Sequence, residues 1–99
     1  MYMIREVMQC KPGKVHDIVN RFKALSTRLE AMRSRPFRIY TDVSGKPYWT
    51  VVAETEADNL DGFFAMQQKT MADPEYQKIM AGYHDSVDAG HREIYRKEA

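Results

Sequence analysis

The chain has 99 residues, 43% of them apolar, and its 15 Lys+Arg against 14 Asp+Glu leave a net charge of +1. That length supports one domain, 1–99, since two halves would each hold too little interior to fold. Mean hydropathy is −0.61, no run approaches the roughly 18–20 apolar residues of a membrane span, and Met1–Cys10 carries Arg5 and Glu6 without the small-residue cleavage site of a signal peptide.

Tyr2 to Gln9 reads as a strand, with Tyr2, Ile4, Glu6 and Met8 on one face and Met3, Arg5, Val7 and Gln9 on the other. Pro12-Gly13 ends it. Val15, Ile18, Val19, Phe22, Leu25, Leu29 and Met32 then recur at spacings of three and four, the apolar stripe of one long helix. Arg33-Ser34-Arg35-Pro36 closes that helix, because cations suit its C-terminal end and proline disfavours helix in the residue before it. Phe37 to Val43 alternates apolar and polar. After Ser44-Gly45-Lys46, the run Pro47 to Thr55 is rich in aromatic and β-branched residues, which together predict a hairpin.

From Asp58 the helical period returns, with Leu60, Phe63, Phe64, Gln67 and Met71 on one face and Asp58 or Asn59 as N-cap. Asp73-Pro74-Glu75 breaks this region and starts a second helix whose apolar face is Tyr76, Ile79, Met80, Tyr83 and Val87. Ala89-Gly90 ends it, and His91 to Arg96 reads as a short last strand. The charge is uneven along this order. Residues 1–38 hold nine basic and three acidic side chains, and residues 39–99 hold six basic and eleven acidic. Because the cations are interleaved with apolar positions, they read as a solvated helix face opposed by the later acids, ahead of a surface for anions or nucleic acid.

The order β-α-β-β-α(α)-β fits the α+β, ferredoxin-like split βαβ arrangement: a four-stranded antiparallel sheet with its helices on one face. The uncovered face would then carry several of Tyr2, Ile4, Met8, Tyr40, Tyr48, Trp49, Val51 and Tyr95, according to register. That much apolar surface calls for a cover, and a second copy of the chain is the simplest one.

Three segments carry a resemblance. They are Lys11-Pro12-Gly13-Lys14 between the first strand and helix, Tyr48-Trp49-Thr50-Val51-Val52-Ala53-Glu54 followed by Thr55-Glu56-Ala57-Asp58, and Ala72-Asp73-Pro74-Glu75-Tyr76. With the element order they make the whole chain resemble the dimeric α+β barrel superfamily, in particular its NIPSNAP-like and antibiotic-biosynthesis-monooxygenase-like small domains. The resemblance implies a homodimer in which two sheets pack face to face, with any small-molecule site between sheet and helices. That superfamily includes quinone-forming monooxygenases, haem-degrading enzymes, isomerases and members of no known reaction. The haem-degrading pattern does not carry over. Phe63 and Phe64 stand where it has a tryptophan, the first strand lacks its asparagine, and its axial histidine position falls near Met80, a turn before His84. No cofactor and no metal site is expected.

Among titratable residues, His84 is the best acid/base candidate, since imidazole titrates near neutrality and the second helical region should wall the cleft. Adjacent His84 and Asp85 diverge on a helix, and a set of His84, His91 and Glu93 has no metal motif behind it. Cys10, the lone cysteine, cannot close an intramolecular disulfide, which fits a reducing, cytoplasmic setting; beside Lys11 it is either a structural thiol or a redox sensor.

The aromatic and sulfur-rich set is either core or the lining of a pocket for a flat apolar metabolite, with Trp49, Phe63, Tyr76, Met80 and Tyr83 as ligand-binding residues. The leading expectation is a homodimer binding such a metabolite, as a cofactor-independent monooxygenase or isomerase. The alternatives are a non-catalytic structural or regulatory dimer, and a monomeric RNA-recognition-type module. The sequence disfavours the last, because Gly45-Lys46-Pro47-Tyr48-Trp49-Thr50-Val51 lacks the alternating Gly and aromatic motif of a base-stacking strand.

Overall fold

The computed structural model describes residues 1–45 and 47–99. Its order is β1 (Tyr2–Cys10), α1 (Val15–Ala31), β2 (Arg38–Thr41), β3 (Thr50–Ala57), α2 (Leu60–Met71), α3 (Pro74–Met80), a 3-10 turn at Tyr83–Asp85, and β4 (Val87–Arg96). The strands form one antiparallel sheet in the order β2-β3-β1-β4. This is the expected α+β, ferredoxin-like arrangement. No described helix is long and apolar enough to cross a membrane.

Two-residue periodicity on β1 sends Ile4, Met8 and Cys10 toward the helices, where they are buried with Val51 and Ala53 of β3. The α1 stripe lies over them through buried Ile18, Phe22, Leu25 and Leu29, and the Phe22 ring meets Phe37 edge-on at 5.7 Å. Ile4, Met8 and Val51, which the sequence allowed on the uncovered face, therefore belong to the core. The uncovered face carries Tyr40, Val52, Val7 and His91 in one cross-strand row. The adjacent row is charged: Arg38 to Glu54 at 3.0 Å, Glu54 to Arg5 at 3.4 Å, and Arg5 to Glu93 at 3.4 Å. Arginines of the first 38 residues thus meet acids of the second half within the fold.

The expected hairpin is narrower than its sequence pattern. β2 stops at Thr41 and β3 starts at Thr50, because Asp42 Oδ1 caps the Thr50 N–H at 2.8 Å and Trp49 turns to φ 63°. Val43 is fully exposed. Of the Ser44-Gly45-Lys46 turn, Lys46 lies outside the described residues.

The second helical region breaks at Asp73-Pro74 as its sequence demands. Asn59 caps α2 by accepting from the Gly62 N–H, and Asp73 caps α3 by accepting from the Tyr76 N–H at 3.1 Å. Arg28 donates twice to the Asp73 carboxylate, at 2.8 and 2.7 Å, which ties α3 to α1.

After Met80 the structure departs from the expected helix. The helix does not continue through Tyr83 and Val87. Arg21 donates to the carbonyls of Ile79, at 2.9 Å, and of Ala81, satisfying the end of α3 from outside. Gly82 then turns at φ 82°, and Ser86 donates to Asp17 Oδ2 at 2.7 Å, pinning the start of β4. β4 consequently spans ten residues from Val87, and Ala89-Gly90 lies within it opposite Gln9 and Met8. A Cβ on Gly82 would sit 3.2 Å from Arg21 Nη2 in addition to the left-handed strain. Gly82→Ala should therefore cost roughly 1–2 kcal/mol, read as a lower urea midpoint at unchanged slope. An unchanged midpoint would contradict this role for Gly82.

Candidate functional site

α2 stands off the sheet. Thr70 is its one buried residue, and Phe64 and Met71 are 42% and 52% exposed. Beneath it, between the sheet, α1 and α3, lies a cavity of about 610 Å³, within the range of roughly 300–1,000 Å³ typical of small-molecule sites. Five of the sequence candidates come together there: Phe63 from α2, Tyr76 and Met80 from α3, and Tyr83 and His84 from the 3-10 turn. His84 is exposed at the rim, its ring edge-on to Tyr83 at 5.2 Å, and sits on a turn where a helix was expected. Trp49 is absent from the lining. It lies at the entry to β3, 44% exposed, where its carbonyl accepts from the Cys10 N–H.

The floor is polar. Glu6 points from β1 into the cavity between the buried side chains of Ile4 and Met8, and its cross-strand partner on β4 is Arg92. Arg92 Nε donates to Glu6 Oε1 at 2.5 Å, Arg92 Nη1 donates to Gln67 Oε1 at 2.9 Å, and the guanidinium lies 5.3 Å from the centre of the Phe63 ring. One arginine therefore links the floor of the cavity to the helix above it. Burial pushes the Tyr76 phenol up, and the Glu6 carboxylate adds to this; the same two causes, in the same order, raise Tyr83. The cavity combines apolar walls with a carboxylate, a guanidinium, an amide and two protonated phenols.

Sequence reasoning missed Glu6, Arg92 and Gln67. A signal existed for Glu6, as the single charged residue on an otherwise apolar strand face. Arg92 had none, since its place opposite Glu6 depends on the β1–β4 register. The other titratable candidates lie elsewhere. Cys10 is 1% exposed, and burial, followed by Asp17, Asp42 and Asp88, pushes its thiol up, which suits a structural thiol. His91 pairs with Glu93 at 2.9 Å on the opposite face of the sheet from Glu6. Among the described residues no three His, Cys, Asp or Glu side chains cluster closely enough to hold a metal ion.

Comparison with known proteins gives no matching family model and no matching curated protein. Solved structures do match over the full chain. A NIPSNAP domain protein from Burkholderia xenovorans superposes with a TM-score of 0.84 at 18% identity, covering 100% of this chain and 96% of that one. A NIPSNAP family protein from Agrobacterium tumefaciens gives 0.80 at 12% identity, over 97% and 84% of the two chains. A putative antibiotic biosynthesis monooxygenase from Nitrosomonas europaea gives 0.75 at 13% identity, over 100% of each. The chain has their fold. At these identities the likeness to NIPSNAP and monooxygenase-like structures is one of architecture, and architecture alone assigns no chemistry to the cavity.

Raised phenol pKa values make stability pH-dependent at the alkaline end. The contribution is fully present below the ordinary tyrosine range, near about pH 10, and is lost as pH rises through the raised values. Two of the six tyrosines should titrate last in near-ultraviolet difference absorbance, and Glu6→Gln should move both downward. Unmoved phenols in that variant would show that Glu6 does not act on them.

Proposed function

We propose that this protein binds a small apolar or aromatic metabolite in the cleft between its helices and sheet. The observation that carries this reading is the cavity of about 610 Å³ whose apolar walls surround a polar floor of Glu6, Arg92 and Gln67. Phe63, Tyr76, Met80 and Tyr83 would hold the flat body of the ligand. The two phenols and the Glu6 carboxylate would orient its polar atoms. As chemistry, an isomerisation fits, or a cofactor-independent monooxygenation in which O2 is the oxidant and a substrate CH2 becomes C=O with release of water, the substrate itself supplying the electrons; His84 at the rim would accept or return a proton. The monooxygenase label of the Nitrosomonas europaea structure supports that direction by fold alone.

A non-catalytic binding role is favoured by one observation: Glu6 is already committed to Arg92, and among the described residues no carboxylate orients His84. Enzyme and binder are separable. Met80→Trp fills the cavity and should weaken a neutral aromatic probe roughly tenfold or more in fluorescence titration. His84→Ala should leave that binding and the fold intact. With a substrate in hand, it should lower kcat by roughly 10²- to 10⁴-fold. Unchanged turnover would remove His84 from the chemistry and leave a binder.

We also propose that the uncovered sheet face closes against a second copy of the chain. Val7, Val52, Tyr40 and Tyr95 supply its apolar part, and the alternating row Arg38, Glu54, Arg5, Glu93 can pair with the same row rotated by a two-fold axis. Glu54, Glu56 and Glu93 on this face disfavour nucleic acid, because acids repel phosphate. Sedimentation equilibrium at micromolar concentration should give twice the 11.6 kDa chain mass, and Val7→Glu should halve it. A clean monomer for the parent chain would refute the assembly.

A further inference from the structure

One residue at the mouth of the cleft bears on the class of ligand it takes. Arg33 lies just past Met32, the C-cap of α1, with φ 60°. The Ser34 N–H donates to the Leu29 carbonyl at 2.8 Å and the Arg33 N–H to the Glu30 carbonyl at 3.0 Å, which closes a Schellman turn. Glycine adopts this left-handed position without strain, whereas any residue with a Cβ does so at a cost. Arginine therefore occupies this position against the preference of its backbone.

Its side chain is also uncommitted. The other five arginines of residues 1–38 are in ion pairs: Arg5 with Glu54 and Glu93, Arg21 with Asp17, Arg28 with Asp73, Arg35 with Glu56 and Asp58, and Arg38 with Glu54 and Glu56. Among the described residues Arg33 makes none, yet it lines the cavity at the end bounded by Ser34, Asp58 and Asn59. The acids at that end do not claim it, since Arg35 holds Glu56 at 3.7 Å and Asp58 at 3.1 Å. At the far end Arg92 is engaged by Glu6 and Gln67. Among the described residues the cavity thus has one free guanidinium, on the exposed Arg33 at its mouth.

Resting on the cleft reading above, we infer that the ligand is an amphipathic organic anion. Its apolar body extends from Phe63, where the cleft reading already seats it, along Met66 and Leu29, and its oxyanion head sits on Arg33. The planar fork of a guanidinium matches two oxygens of a carboxylate, sulfonate or phosphate.

Two probes that differ in charge separate this inference from the cleft reading: anilinonaphthalene sulfonate, and phenylnaphthylamine as its neutral counterpart. Both are titrated by fluorescence into the full chain at low salt. Arg33→Gly should weaken the sulfonate roughly five- to tenfold and leave the neutral probe within roughly twofold. Arg33→Lys, which keeps the charge but loses the two-pronged contact, should fall between the parent and Arg33→Gly in sulfonate affinity. Arg33→Gly should also raise Tm by a few degrees by relieving the left-handed strain, so lost binding cannot be read as lost folding. Equal sulfonate affinity in the parent and Arg33→Gly overturns the inference while the cleft reading stands. If neither probe binds the parent chain, both fall.

Discussion

The site depends on how the chain leaves α3. Arg21, held by Asp17 at 2.9 Å, reaches from α1 to the last carbonyls of α3, and Asp17 also accepts from Ser86. One ion pair on α1 therefore fixes both where the helix stops and where β4 begins. Hydrogen bonds from Ser86 and Arg21 hold the Asp17 carboxyl below the usual carboxylate range, so the cluster stays charged at neutral pH. Had the helix run on through Val87, β4 would have been too short to place its residues along the full length of β1. Starting at Val87, β4 pairs with β1 as far as Cys10, and within that register Arg92 lies opposite Glu6 and gives the cavity its charged floor.

Packing is divided unevenly around that cavity. α1 and the centre of the sheet share the close contacts, with Ile4, Ile18 and Val51 wholly buried. α3 is tied to α1 by the Arg28–Asp73 pair, but α2 leaves most of its apolar side chains partly exposed. Apolar area kept out of the core weakens stability, and here it leaves the cavity of about 610 Å³ beneath α2. α2 is tied at discrete points: Arg92 reaches Gln67 and the Phe63 ring from the sheet, and Gln77 of α3 donates to the Met71 carbonyl at 3.3 Å. Loosely packed elements of this kind are where local opening is easiest.

The two faces of the sheet follow from one alternation. Even-numbered residues of β1 supply the core and, at Glu6, the cavity floor; odd-numbered ones supply the open face, with Arg5 at the centre of its charged row. A charged residue on each side of the same strand thus serves a different surface. The open face is neither plainly polar nor plainly apolar. Its charges alternate in sign along one row, Arg38, Glu54, Arg5 and Glu93.

Much of the fold was legible in local pattern. The α1 stripe from Val15 to Met32, the Asn59 and Asp73 caps, the Pro74 break and the alternation on β1 are set by neighbours within a few residues, so sequence alone determines them. Phe63, Tyr76 and Met80 could be assigned to a cleft for the same reason, since they share the inward faces of α2 and α3, whereas Tyr83 and His84 reach the cavity from a 3-10 turn that the helical period did not show. Tertiary structure decided the rest. The end of α3 at Met80 depends on Arg21, some 58 residues away in sequence from Ile79, and the exclusion of Trp49 depends on its turned backbone before β3. The Glu6–Arg92 floor spans 86 residues. Such contacts leave no periodic trace, because pairing register and side-chain reach bring their partners together only once the sheet has formed.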